Sequence, residues 1–117
     1  MSSFEHLQVQ TTAGSEEEAK RIAEALVDER LAACVQIVGP IASRYRWQGK
    51  VEEAQEWLCL IKTTSTAYDA VQAAIRAAHS YDEPEIIAIP ITLGSSGYLA
   101  WVEQNVDSEA GPGRGSA

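Results

Sequence analysis

The chain has 117 residues, two cysteines and a formal net charge of −8. That length fits one domain with a core of its own, needing neither disulfides nor a structural metal. The acidic balance repels phosphate backbones and sets nucleic-acid binding aside, and no stretch reaches the ~18 apolar residues of a membrane span. The N-terminus shows no basic segment followed by an apolar one, so no leader is expected and the expected location is the cytoplasm.

Residues Phe4 to Thr12 alternate, with Leu7, Val9 and Thr11 on one side and His6, Gln8 and Gln10 on the other, which predicts a strand with one polar face. After Ala13-Gly14, Ser15 followed by Glu18 reads as a capping box, and Glu16 to Glu18 suit the positive end of a helix. Ala19, Ile22, Ala23, Leu26, Val27 and Arg30 then repeat with helical spacing. Cys34 to Val38 is a short strand that Gly39-Pro40 interrupts, so a bulge or a sheet edge is expected there. The strand resumes with Ile41, Ser43, Tyr45 and Trp47 on one face, and Gln48-Gly49 is a plausible tight turn.

A long strand runs from about Lys50 to Thr63, apolar on both faces between Trp57 and Ile61. Thr64 to Thr66 start a second helix, in which Tyr68, Val71, Ala74, Ile75 and Ala78 share a face. His79 to Pro84 is a loop, because proline pushes its predecessor out of helix. Glu85 to Thr92 reads as an isoleucine-rich strand, and Gly94-Ser95-Ser96 caps a last helix carrying Leu99, Val102 and Val106. Residues 4–107 form the predicted domain, and Ser108 to Ala117 lacks apolar anchors and is expected to be disordered. Cys34 and Cys59 sit in apolar runs, outside any zinc spacing, and read as small buried hydrophobes.

Strand, helix, strand, strand, helix, strand, helix is the order of an α+β ferredoxin-like βαββαβ sandwich with an additional C-terminal helix. Right-handed crossovers put the first and third strands in the centre, with two helices on one face and the other face bare. A strand as long as the third spans on the order of 40 Å, too far for one small domain to cover on both sides. Tyr45, Trp47 and Trp57 on that hairpin are costly to leave wet. Pairing with sister copies in a closed ring solves this, so a homo-oligomer is expected.

Chemistry is sparse. The chain has two histidines, His6 and His79, and shows neither a nucleophile elbow nor a phosphate loop. No nucleophile–base pair stands out, so the expectation is a protein that is not an enzyme and requires no cofactor. His79, Tyr81, Asp82, Glu83 and Glu85 crowd around Pro84, and an imidazole among carboxylates suits a divalent cation, with His79 the metal candidate. Arg44, Arg46, Lys50 and Lys62 face Glu52, Glu53 and Glu56 on the hairpin. They read as cross-strand ion pairs or as the basic side of an anion-binding cleft between subunits.

Several segments resemble the CutA family of divalent-cation tolerance proteins. Glu29 to Ile37 resembles one hallmark segment, and Ser43-Arg44-Tyr45-Arg46-Trp47-Gln48-Gly49-Lys50 resembles the motif S-x-Y-x-W-x-G-K. Glu56, Leu58 and Lys62-Thr63 match a family strand. His79 to Ile86 resembles the H-P-Y-x-x-P-E-I loop, and Tyr98 to Trp101 the terminal Y-L-x-W. The resemblance implies a PII-like homotrimer, a role in tolerance of copper or other divalent metals, and no established catalysis. It makes Arg44, Tyr45, Trp47, Lys62, Tyr81 and Glu85 the candidate lining of the intersubunit cleft. Some bacterial members carry a copper-serving cysteine where this chain has Thr11, and a histidine pair where it has Ala78-His79; Ser80 replaces the loop proline. Two functional expectations follow: a weak divalent-cation binder, or a PII-like module holding a small anionic ligand between subunits.

Overall fold

The structure, a computed structural model, describes residues 5–107. The expected start of the first strand at Phe4 and the expected disordered tail from Ser108 lie outside the described residues. Strand β1 is His6–Ala13, helix α1 Glu16–Asp28, β2 Cys34–Trp47 and β3 Lys50–Thr64. A short 3-10 turn, Ser65–Ala67, leads into α2, Tyr68–Ala78, followed by β4, Ile87–Pro90, and α3, Ser96–Asn105. The sheet is antiparallel in the order β2-β3-β1-β4, so the first and third strands are central, as the crossover rule requires.

One face of β1 and β3 carries Val9, Thr11, Ala13, Cys59, Ile61 and Thr63, all buried completely. Ile22 and Leu26 of α1 and Val71 and Ile75 of α2 close over that face. Burying side chains of this size contributes on the order of 2 kcal/mol each. Val27, expected on the buried stripe, is 40% exposed, because Ala19, Ile22 and Leu26 already fill the contact. On the opposite face Val38, Ile87 and Ile89 remain 46%, 46% and 44% exposed. Cys34 pairs in register with Lys62 on that face, so it is only half-buried, whereas Cys59 is buried; both thiols are free.

Helix α1 starts as its sequence dictates: Ser15 Oγ accepts the Glu18 N–H at 3.1 Å. Its end is less usual. Arg30 adopts φ +59°, its N–H bonds Val27 O at 3.0 Å, and Leu31 N–H bonds Leu26 O at 2.9 Å, the paired bonds of a Schellman stop. Glycine normally takes that left-handed position. Here the arginine is held by its guanidinium donating to Gln104 O at 3.0 Å and by its carbonyl accepting Asp107 N–H at 2.8 Å. These bonds, with the hydrogen bond between His6 Nε2 and Glu103 Oε2 at 2.7 Å, dock α3.

Strands β2 and β3 form a long hairpin closed by Gln48 and Gly49, at φ +50° and +81°, the signs of a type I′ turn. The break expected at Gly39-Pro40 is a register shift between Val38 and Ile41 within one continuous edge strand. Gly39 is required there, since a Cβ would sit 2.3 Å from Trp57 Cδ1. Strand β4 is shorter than its isoleucines imply. Its pairing with β1 runs only from Gln10–Ile87 to Leu7–Pro90, and Glu85 and Ile86 belong to the loop that buried Pro84 anchors.

Candidate functional site

Glu18 sits three residues into α1, at 4% exposure, and its carboxylate reaches out of the helix to the chain after α2. Oε2 accepts the Ser80 N–H at 2.6 Å; Oε1 accepts the Ser80 hydroxyl at 3.2 Å and the Gly14 N–H at 3.4 Å. Burial alone raises its pKa. The Ser80 and Gly14 hydrogen bonds and the nearby His79 outweigh that and hold the carboxyl below its ordinary value. The capping box is therefore half formed: Ser15 caps Glu18, but Glu18 clamps the 79–81 loop instead of answering Ser15.

His79 is the next member. Its side chain is completely buried, with Nε2 2.7 Å from Thr12 O and Nδ1 3.1 Å from the Tyr81 nitrogen. A proton on Nε2 satisfies both contacts, since Thr12 O only accepts and the Tyr81 N–H only donates. Nδ1 also lies 3.6 Å from Glu18 Oε2. The Tyr81 ring packs on the imidazole with centroids 4.7 Å apart, and its hydroxyl donates to Glu56 Oε2 at 2.9 Å. Burial, then the hydrogen bond and charge of Glu56, push the Tyr81 phenol up to about 12. The chain Glu18–Ser80–His79–Tyr81–Glu56 thus ties the α1 N-terminus, the end of β1 and the middle of β3 to one loop.

Where the loop meets the β2–β3 hairpin, a cleft of about 540 Å³ opens. Tyr45 and Trp47 stand on one side and Tyr81, Asp82, Glu83 and Glu85 on the other, with Thr12, Ser43, Arg44 and Glu56 completing the lining. Two segments far apart in sequence, Ser43 to Lys50 and His79 to Ile86, thereby border one space. Five of the six expected cleft residues, Arg44, Tyr45, Trp47, Tyr81 and Glu85, come together there. Lys62 does not: it lies farther down β3, opposite Cys34, and donates to Gln36 Oε1 at 2.9 Å. His79 lies behind Tyr81 and is not in the cleft wall.

Charge in the cleft is one-sided. Four carboxylates, Glu56, Asp82, Glu83 and Glu85, face a single base, Arg44, which pairs with its cross-strand neighbour Glu53. Glu83 is bridged by Arg76 at 3.3 Å. Among the described residues no group of three or more His, Cys, Asp and Glu side chains is arranged to hold a metal ion within one chain. Thr11 is completely buried on the helix-covered face, with no hydrogen-bond partner for its hydroxyl among the described residues.

A family model described as CutA1 divalent ion tolerance protein matches residues 7–105. The chain belongs to the CutA1 family. The divalent-cation tolerance protein CutA of Thermus thermophilus is 52% identical over 94 residues, covering 80% of this chain and 91% of that protein. The CutA of Archaeoglobus fulgidus is 43% identical, with 87% and 99% covered. Mouse Protein CutA is also 43% identical over 87% of this chain, which spans only 58% of that longer protein. Solved CutA structures superpose closely. The Thermus protein gives a TM-score of 0.85 at 49% identity, covering 87% of this chain and 99% of that one. CutA1 of Oryza sativa gives 0.86 at 40% identity, covering 89% and 95%. The motif resemblance and the ferredoxin-like fold of the CutA1 family both stand.

Sequence reasoning missed Glu18, Thr12 and Ser43 as parts of the site, and read Glu56 only as a motif residue and an ion-pair partner. Glu18 carried a signal, but a capping residue three positions after serine is ordinarily spent on its own helix. Nothing local announces that its carboxylate reaches Ser80.

Proposed function

We propose that this CutA1 chain works as a cytoplasmic homotrimer in divalent-cation tolerance, binding copper or another divalent cation weakly and catalysing no reaction. The observation that carries the metal reading is the cleft's charge: four carboxylates against one arginine already paired with Glu53. Carboxylate oxygens suit hard divalent ions, and Cu²⁺ also accepts mixed nitrogen and oxygen donors. Asp82 and Glu85 at the exposed rim are the available oxygen donors, Glu83 being bridged by Arg76. For His79 to ligate it must first give up Thr12 O or the Tyr81 N–H, which favours weak binding. The PII-like reading, a small anion held between subunits, has less support, since Lys62 is bonded elsewhere and Arg44 is spent on Glu53.

Self-assembly is supported by the apolar side chains left on the helix-free face, Val38, Ile87 and Ile89, and by Val51 near the hairpin end. The non-catalytic reading is supported by the state of the nucleophile candidates. Burial and the charge of Glu18 push the Cys59 thiol up to about 11, and Tyr81 stands at about 12, so neither is activated near neutral pH.

Titration calorimetry with Cu²⁺ and Zn²⁺, on wild type, His79→Ala and Glu85→Gln, tests the metal reading. Weaker binding in Glu85→Gln is expected; an isotherm unchanged in both variants removes the cleft rim and His79 together. Sedimentation equilibrium on wild type and Ile89→Glu tests assembly. Three protein masses for wild type and a smaller particle for Ile89→Glu are expected, and a folded wild-type monomer at micromolar concentration refutes the trimer.

A further inference from the structure

The cleft combines two chemistries that a metal site does not need. Its hairpin wall is aromatic, with Tyr45 and Trp47 at 44% and 50% exposure, and Tyr81 faces it from the loop. Tyr45 and Trp47 are two apart on one strand, so both rings project from the same side of the hairpin. Deeper in the cleft lies Glu56, only 7% exposed. Among the described residues its one hydrogen bond comes from the Tyr81 hydroxyl, to Oε2. One phenol occupies Oε2, and Oε1, which is not among the fully enclosed atoms, stays open to a donor or a cation.

Aromatic faces are negative at their centres and attract cations that shed water easily. A compact, strongly hydrated metal ion gains little from them. An alkylated ammonium gains from the rings and from the carboxylate at once, and about 540 Å³ is within the range of small-molecule sites. We propose that this cleft is a binding site for a small organic cation bearing an alkylammonium group. The ammonium lies over Trp47 and Tyr45 and faces Glu56, and the acidic rim attracts it from solution. This site shares its acidic residues with the metal reading and is told apart from it by the rings, which the metal titration leaves unprobed.

The test is calorimetry on the assembled wild-type protein with choline as the probe and 3,3-dimethyl-1-butanol, its uncharged isostere, as the control. Saturable choline binding is expected, with the isostere weaker by about tenfold or more, the size of a partly desolvated cation–π contact. Trp47→Ala, at an exposed hairpin position, should weaken choline by a similar factor. Glu56→Gln should do so too, with circular dichroism reporting whether it folds; if it does not, Trp47→Ala decides. No saturable choline binding to wild type, equal binding of the isostere, or an unchanged affinity in Trp47→Ala overturns the proposal. Each result stands apart from the Cu²⁺ and Zn²⁺ titrations, so failure of one reading is distinguishable from failure of the other.

Discussion

Glu18→Ala is the sharpest test of how the loop is held. The substitution removes an acceptor of three hydrogen bonds, at 2.6 and 3.2 Å from Ser80 and at 3.4 Å from Gly14. Hydrogen bonds to an ionised group contribute roughly 1.5–3 kcal/mol each, and the longest counts least. These values already include desolvation, and the lower end for two effective bonds, the second being long at 3.2 Å, gives about 3 kcal/mol. For a domain of this size the loss corresponds to a fall in Tm of about 10 °C. The assay is thermal and urea denaturation at fixed protein concentration, because self-assembly makes Tm concentration-dependent. Glu18→Gln keeps the shape, removes the charge, and should cost less.

The pH dependence separates this clamp from a loss of packing. The Glu18 carboxyl is held below its ordinary value in the folded chain. A depressed folded pKa contributes stability that is full above the unfolded value, near ~4.3, and lost as pH falls through the lower folded value. The difference between wild type and Glu18→Gln should therefore be constant from neutral pH to about pH 5 and shrink on further acidification. A variant within about 0.5 kcal/mol of wild type, or a difference that does not change with pH, refutes the clamp.

Two further substitutions probe the frame around the site. Gly39→Ala places a Cβ 2.3 Å from Trp57 Cδ1, so the ring or the bulge must shift. A loss of about 2 kcal/mol in urea denaturation is expected, and a neutral result would show that Trp57 moves freely. Thr11→Val removes a buried hydroxyl that has no partner among the described residues. A gain of about 1 kcal/mol is expected by the same measurement, and a loss would reveal a bond at Thr11 that the geometry does not contain.

Much of the fold was legible because its signals are local. The 3.6-residue spacing of Ala19, Ile22 and Leu26, the alternation of β1 and the glutamine–glycine turn each depend on neighbours within a few positions. The family motifs likewise meet at one cleft of the chain, where Arg44, Tyr45, Trp47, Tyr81 and Glu85 lie together. Spacing says less where a residue's neighbours are distant. Lys62 and Arg44 both lie on the hairpin and carry the same charge, but strand register sets Lys62 opposite Cys34 and Arg44 opposite Glu53, so within one chain they do not share a cleft. Val27 fits the helical stripe by spacing, yet the contact was already filled.

The sequence by itself determined the order of strands and helices, the central place of β1 and β3, and the long hairpin that carries Tyr45, Trp47 and Trp57. These follow from periodicity, turn chemistry and handedness, which act over short stretches of chain. Only the tertiary structure decided that Glu18 leaves its helix to hold Ser80, that both nitrogens of His79 are occupied, and that Tyr81 reaches Glu56 at the cleft. Those contacts join residues 25 to 67 positions apart, and their geometry exists only once the sheet register and the course of the 79–86 loop are set.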